Sequence, residues 1–381
     1  LWLVVARAGG FLGLLLTFRL AARFAGPGAG VVAALALLLT PDAESRWVRH
    51  MLQGNVEPLT IGLCLWAVER HLDGRHRQAA LLAGAAALLR PEVWPFLLLY
   101  AAWLSWRRPP GWWAVLPTLP AAPLLWFGGD WWASGDPLTG AQRAQVLDTS
   151  TAHRVVLALD QIRDLVVAPV WVAAAVCVVV AAHRRVGPPV VLAVGALGWM
   201  AVVGVMTVVF GFGALSRFLA PPAAVLCVLA GIAVGWTVAA PRHVVLRVGV
   251  AALLAAVIVP FALPRVGWQP AQVGAAAQRA QLADDLDRAV ALAGGRDAVL
   301  ACGALAVDAD RVEVQQTRPG LAWALDVPLA RVGYGLGAAP GVAIVRTGGV
   351  TDTALAAQPA PTVRTLARTP AWTVYAQLCP Q

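Results

Sequence analysis

Long apolar runs separated by short polar turns fill the first two thirds of the chain. Those at Leu1–Arg23, Val56–Leu72, Trp112–Phe127, Leu165–Ala182, Pro189–Phe210, Leu219–Ala239 and Val244–Leu263 are apolar all round rather than on one helical face. About 20 such residues cross the hydrocarbon of a bilayer, so each run predicts a membrane-spanning helix. Gly28–Thr40 is a shorter run of 13 residues. Ala79–Trp106 is interrupted by Arg90-Pro91-Glu92. Pro91 lacks a backbone donor and disfavours helix at Arg90, which predicts two half-length helices meeting at that tip.

After Pro264 the texture changes to ordinary polarity. Gln278–Ala293 has the spacing of an amphipathic helix, with Asp284, Asp285 and Asp287 on its polar side. Short β-like runs follow at Ala298–Ala301, Val312–Gln316, Val342–Arg346 and Trp372–Ala376. The pattern therefore predicts an all-α polytopic membrane bundle of about 9–10 helices, some short or re-entrant, over residues 1–268. A small α/β domain is expected over residues 269–381.

Composition agrees. Hydrophobic residues make up 59% of the 381 and charged residues 13%, against roughly 45–50% and 25% in soluble domains. The mean hydropathy is +0.71. Many of the 17 Trp fall near predicted span ends, where amphipathic rings favour the interface. The net charge of +9 comes from 29 Arg with no Lys, placed singly or in pairs in the turns. That distribution excludes a nucleic-acid-binding stripe and fits the positive-inside pattern. One set of turns (Arg19/Arg23, Arg70/Arg75/Arg77, Arg107/Arg108, Arg184/Arg185, Arg242/Arg247) holds 11 Arg against Glu69 and Asp73. The opposite set holds Asp42, Glu44, Glu57, Glu92, Asp130, Asp136, Asp148, Asp160 and Asp164. The first set is expected to face the cytoplasm, which puts the acidic loops and the C-terminal domain outside. Cys64, Cys177 and Cys227 lie in apolar runs as small packing residues. Cys302 and Cys379 can pair if their domain is extracytoplasmic.

The candidate chemistry sits on the acidic side. Asp42 and Glu44 follow the apolar run that ends at Pro41. Two carboxylates two residues apart can turn toward one hard cation, or stand solvated with Arg46 as partner. Glu57, in Gly54-Asn55-Val56-Glu57-Pro58, suits helix initiation with Asn55 as N-cap. Arg90 and Glu92 at a helical break near membrane depth must pair with each other, with backbone or with a ligand. Asp130-Trp131-Trp132-Ala133-Ser134-Gly135-Asp136 reads as an outer loop of aromatics and acids. Arg217, in Ser216-Arg217-Phe218, can hold a phosphate bidentately or snorkel to lipid headgroups. Walker loops, Gly-x-Ser-x-Gly and Cys or His metal pairs do not occur in the sequence, and Asp308-Ala309-Asp310 with Glu313 lacks the spacing of a calcium loop.

The order of these features resembles the GT-C superfamily of polytopic glycosyltransferases, which use polyprenyl-phosphate-linked sugars. Ala6-Arg7 opens a span that ends in the Arg19/Arg23 turn, and a Pro-plus-acid loop follows. Next come Gly54-Asn55-Val56-Glu57-Pro58-Leu59 and Gly84-(x)5-Arg90-Pro91-Glu92. Gly135-Asp136-Pro137-Leu138 and Ser216-Arg217-Phe218-(x)2-Pro221 complete the series. The resemblance covers roughly residues 1–265 and implies transfer of a sugar on the outer face to an envelope glycan, lipid or protein. It implies that Asp42 and Glu44 serve catalysis through a divalent cation (magnesium or manganese) or the donor phosphate. Arg217 would then meet the phosphate, while Arg90, Glu92, Glu57 and Asp136 shape the substrate pocket. It also implies a further span and an acid-bearing first loop, with the catalytic base, N-terminal to Leu1. The rival classes are a polytopic transporter or flippase, and a non-catalytic membrane protein whose C-terminal domain binds an envelope partner. A transporter is expected to show an internal repeat, and the sequence has none.

Overall fold

The structure, a computed structural model, describes residues 1–39, 47–145, 147–213, 216–307, 314–335, 340–358 and 362–379. The chain divides into two compact units, Leu1–Val273 and Gly274–Gln381.

The first unit is helical. Its helices are α1 (Trp2–Ala25), α2 (Pro27–Leu39), α3 (Trp47–Gln53), α4 (Glu57–Leu72), α5 (His76–Leu89), α6 (Trp94–Arg107) and α7 (Thr118–Ser134). There follow α8 (Thr139–Ala144), α9 (Thr151–Arg163), α10 (Ala168–His183), α11 (Gly187–Val208), α12 (Ala220–Ala239) and the first part of α13 (Val244–Leu292), whose residues from Gly274 belong to the second unit. Short 3-10 turns at Pro91–Val93, Trp112–Val115 and Ser216–Leu219 lead into α6, α7 and α12. Four helical stretches are long and apolar enough to cross a membrane among the described residues: Trp2–Ala25, Gly187–Val208, Arg217–Ala239 and the start of Val244–Leu292. The pair α9 and α10, bent by 80° at their junction, makes a fifth if taken as one broken span.

Small residues set how closely these helices approach, as expected where lipid supplies no hydrophobic drive between them. A Cβ on Gly9 of α1 would lie 2.6 Å from the Leu59 backbone of α4. One on Gly231 of α12 would lie 2.5 Å from the Ala29 carbonyl of α2. Helix α12 is the buried centre of the unit: Ala223, Ala224, Cys227, Val228, Leu229 and Ile232 are all within 2% of full burial. At one end, Arg19 reaches Glu69 at 2.7 Å, and Arg70 bridges Glu69 and Asp73 at 2.8 and 3.0 Å. Arg23 bonds Asp73 and holds its carboxyl below the usual carboxylate range. This network fastens α1 to α4.

The second unit carries a five-stranded sheet built from β1 (Ala304–Val307), β2 (Val332–Tyr334), β3 (Gly341–Arg346), β4 (Val363–Arg368) and β5 (Trp372–Gln377). The strand order is β2-β1-β3-β5-β4. Strands β2, β1 and β3 run parallel, while β5 is antiparallel to both β3 and β4. Helices α14 (Gly295–Ala301), α15 (Val314–Ala324) and α16 (Val350–Ala356) complete it. Alternation along β3 feeds two cores. Val342 and Ile344 face Leu286, Val299, Leu321 and Trp372, while Ala343 and Val345 face Val363 and Tyr375. Cys302 and Cys379 form a disulfide with Cα atoms 5.3 Å apart.

The expected class, a membrane helical bundle with a small α/β C-terminal domain, is the observed one, with local corrections. Trp112–Phe127 is not one span: a 3-10 turn ends at Val115, and Pro117 forces a new start at Thr118. Asp130 to Ser134 are not a loop but the last turns of α7, closed by Gly135 at φ +78. Ala298–Ala301 and Val314–Gln316 are helical, because strand periodicity over four or five residues cannot outweigh packing against the sheet. Asp285 is not on a solvated face. It is 8% exposed and accepts the Ala371 amide at 2.9 Å, alongside a Trp372 indole bond to the Leu282 carbonyl. The apolar run from Val244 and the amphipathic segment to Leu292 form one 49-residue helix, through Pro260, Pro264 and Pro270.

Candidate functional site at the Arg90 break

Helix α5 ends where the sequence requires it to, before Pro91. Arg90 is extended there (φ −148, ψ 122), and the chain re-enters helix through the Pro91–Val93 turn. This break points two charged side chains at the start of α4. Arg90 donates to Glu57 Oε1 at 3.1 Å, and its Nε lies 4.0 Å from Glu92 Oε2. Glu57 and Glu92 are each 3% exposed. Glu57 sits in the first turn of α4, where the helix dipole favours a carboxylate. The cap itself is not the expected one. Val56 takes the N-cap position without a side-chain bond, and Asn55 bonds His50 and Gln53 instead.

The Ser216–Leu219 turn supplies the fourth charge. Arg217 Nε lies 3.7 Å from Glu57 Oε1. The Phe218 ring lies under both cations, 4.5 Å from the Arg90 guanidinium carbon and 5.5 Å from that of Arg217. Trp199 of α11 fixes the turn by donating its indole N–H to the Phe218 carbonyl at 2.8 Å. Trp199 is itself stacked on Phe96 of α6, with centroids 5.4 Å apart.

The cluster pairs its charges but does not saturate them. Glu57 Oε2, Glu92 Oε2 and Arg217 Nε are buried atoms with no hydrogen-bond partner. Each such atom costs about 1–3 kcal/mol unless something meets it. Arg90 is committed to Glu57, with only 13% of its side chain exposed, whereas Arg217 is 43% exposed. Arg217 is therefore the cation available to an incoming anion, and the two buried carboxylate oxygens are left short of a donor.

An apolar groove of about 780 Å³ starts beside this cluster. Val93, Trp199, Pro221 and Pro222 line it next to the charges, and Ile61, Leu65, Val68 and Leu97 carry it along α4 and α6. His71, Tyr100 and Trp103 line its far end, where His71 Nδ1 meets the Tyr100 hydroxyl at 3.2 Å. From Ile61 to His71 the helix rises roughly 15 Å. The arrangement is charged at one end and apolar along its length.

Of the residues singled out in the sequence, Glu57, Arg90, Glu92 and Arg217 are brought together. Asp42 and Glu44 lie outside the described residues. Asp136 does not join the four. Its carboxylate accepts the Leu138 amide at 2.9 Å and the Gln142 amide at 3.0 Å, which shapes the turn between α7 and α8. Phe218 and Trp199, with the groove, were not foreseen. A Trp in the middle of an apolar run, away from the span ends that hold many of the others, was the available signal for Trp199. Among the described residues no group of three or more His, Cys, Asp or Glu is placed to hold a metal ion.

Fold and site together describe a polytopic membrane protein with a charged cluster at the head of an apolar groove. No family model and no curated protein matches the sequence. Among solved structures, the fold is similar to that of ArnT from Cupriavidus metallidurans. Against its apo state the TM-score is 0.55, with 16% identity over 100% of this chain and 84% of that one. Against ArnT bound to undecaprenyl phosphate the TM-score is 0.59, with 15% identity over 100% of this chain and 85% of that one. The chain thus shares the fold of these ArnT structures.

Proposed function

We propose that the chain is a membrane glycosyltransferase that takes a sugar from a polyprenyl-phosphate donor on the outer face. The acceptor is an envelope glycan, lipid or protein. The observation that carries this reading is the nearness of two Arg and two buried Glu to one end of a 780 Å³ apolar groove, which Val93, beside Glu92, helps to line. An amphiphile with one anionic group and a long hydrocarbon tail matches both parts. The tail lies in the groove, Arg217 hydrogen-bonds the phosphate, and the unpartnered oxygens of Glu57 and Glu92 accept sugar hydroxyls. The likeness to ArnT, solved with undecaprenyl phosphate, supports the same ligand class.

The reaction is a displacement. The acceptor oxygen bonds the anomeric carbon, the bond from that carbon to the phosphate oxygen breaks, and its electron pair leaves on the phosphate. The acceptor proton passes to a carboxylate. A guanidinium beside the departing phosphate stabilises charge that grows in the transition state. Asp42 and Glu44, with magnesium or manganese, remain the sequence's candidates for a second counter-charge to that phosphate. The Cys302–Cys379 disulfide, which persists in oxidising surroundings, supports an extracytoplasmic C-terminal domain.

The test is reconstitution of the protein in nanodiscs with radiolabelled polyprenyl-phosphate hexose and pentose donors and membrane-derived acceptors. Release of polyprenyl phosphate together with label in an acceptor is expected. Translocation of an intact donor in proteoliposomes, with no sugar released, would sink the transferase in favour of a transporter.

A further inference from the structure

The second unit has one ring that is almost wholly exposed. Trp372 is 4% exposed and Tyr375 2%, and Tyr334, 53% exposed, is covered on one face by Arg318. Trp323 is 88% exposed. The helix explains why. Leu321 on α15 and Leu325 in the turn that continues it, two positions to either side, are fully buried in the core, and a step of two residues turns through roughly 200°. Trp323 is thereby carried on the side of α15 away from the core.

The indole borders a depression of about 540 Å³ lined also by Pro319, Ala322, Asp326, Val327 and Leu329. The polar side of that depression is held in place. Arg296 donates to the Asp326 carbonyl at 3.1 Å and pairs with its carboxylate at 3.3 Å. Asp326 keeps a left-handed backbone (φ +48), a conformation a non-glycine residue holds only when its surroundings fix it. Its carboxylate is 86% exposed and the Arg296 side chain 47%, so both retain hydrogen-bonding capacity toward a ligand.

A flat apolar face next to a fixed carboxylate and guanidinium is complementary to one class of molecule. A pyranose ring has a face of C–H groups and a rim of hydroxyls. The first stacks on an indole, and the second both donates to a carboxylate and accepts from a guanidinium. A lipid surface would not call for the acid.

We propose that Trp323, Asp326 and Arg296 form a saccharide-binding site on the C-terminal unit. Trp323 is the stacking platform, Asp326 the hydroxyl acceptor, and Arg296 both positions Asp326 and donates. The ligand is a neutral pyranose oligosaccharide. The proposal rests on the transferase reading only in taking that glycan as the acceptor; binding itself requires no donor and no turnover.

The experiment is saturation-transfer NMR on the full chain in nanodiscs, with cellotetraose, maltotetraose and mannotetraose as probes. At least one should bind, with the strongest transfer to the C–H face of its rings. W323A should weaken binding at least tenfold, W323F should retain part of it, and D326N should lose severalfold. Because Trp323 and Asp326 are exposed, all three variants should melt with the wild type, and that equality is the control for folding. The proposal is overturned if none of the three sugars binds, or if W323A binds as wild type does. It is also overturned if quenching of Trp fluorescence by brominated lipids falls in W323A, which would assign the indole to the bilayer. Sugar transfer that survives W323A with its binding lost would leave the site standing and remove only its role in presenting the acceptor.

Discussion

Arg90 and Arg217 should fail in different ways, and the difference follows from geometry. Arg90 is the committed partner of a buried carboxylate, with the bond at 3.1 Å. Arg90→Ala leaves Glu57, 3% exposed, with only the longer contact to Arg217 at 3.7 Å as counter-charge. Removing one member of a buried pair costs about 3–5 kcal/mol. Arg217 lies 3.7 Å from the same carboxylate with 43% of its side chain exposed. As a structural pair that contact is worth at most about 1 kcal/mol. As a phosphate ligand its charge-assisted bonds are worth about 1.5–3 kcal/mol, which is on the order of a 10- to 150-fold loss of affinity. The assay is a pair of measurements on each variant in nanodiscs. One is the dissociation constant for a polyprenyl phosphate, with the matching polyprenol as a phosphate-free control. The other is the apparent melting temperature. Arg217→Ala should lose phosphate affinity, leave polyprenol binding alone and melt near the wild type. Arg90→Ala should melt many degrees lower. The reasoning is refuted if Arg217→Ala binds within twofold of wild type, or if the two variants lose the same stability.

Further expectations follow from the same structure. Trp199→Phe keeps the stack on Phe96 but frees the Phe218 carbonyl, so polyprenyl-phosphate affinity should fall severalfold while polyprenol affinity holds; an equal loss for both would place the effect in the groove instead. Gly9→Val drives a side chain into the Leu59 backbone at 2.6 Å, and overpacking of this kind costs about 1–3 kcal/mol, readable as lower yield of folded protein and earlier melting. Burial would raise the Asp352 carboxyl, but the Gly348 amide, the Tyr375 hydroxyl and Arg368 outweigh it and hold it below its usual value. Its stabilising contribution is therefore complete above about pH 4, the ordinary aspartate value, and is lost as the pH falls through the depressed one. Hydrogen exchange in β5 should accelerate in acid for the wild type and change less with pH in Asp352→Asn. The disulfide closes a span of 77 residues, so Cys302→Ser with Cys379→Ser should cost the second unit about 2–4 kcal/mol, seen as faster exchange in β3 and β5.

Much of this protein was written in the order of its residues. The apolar runs and the Arg-rich turns gave a membrane bundle because a bilayer demands length and all-round apolarity, both of which are local properties. The break at Arg90 was legible because Pro91 acts on its immediate neighbour. The strands at Gly341–Arg346 and Trp372–Gln377 were legible because they are rich in β-branched and aromatic residues, and both of their faces are covered. Failures came where local pattern was short and packing decided. Ala298–Ala301 is helical because Val299 must reach the core beneath the sheet. Asp285, read as polar surface, turned inward because the Ala371 amide needed an acceptor. The candidate site divides in the same way. That Arg90 and Glu92 were unusual followed from charge at membrane depth, which is costly wherever it occurs, while Glu57 and Arg217 stood out only through the motif series. That the four meet, with Arg90 committed to Glu57 and Arg217 half-exposed at a longer distance, was decided only when α4, the α5 break and the turn before α12 packed together. Distances between residues more than 30 and 150 positions apart are set by helix packing, and no local propensity encodes them.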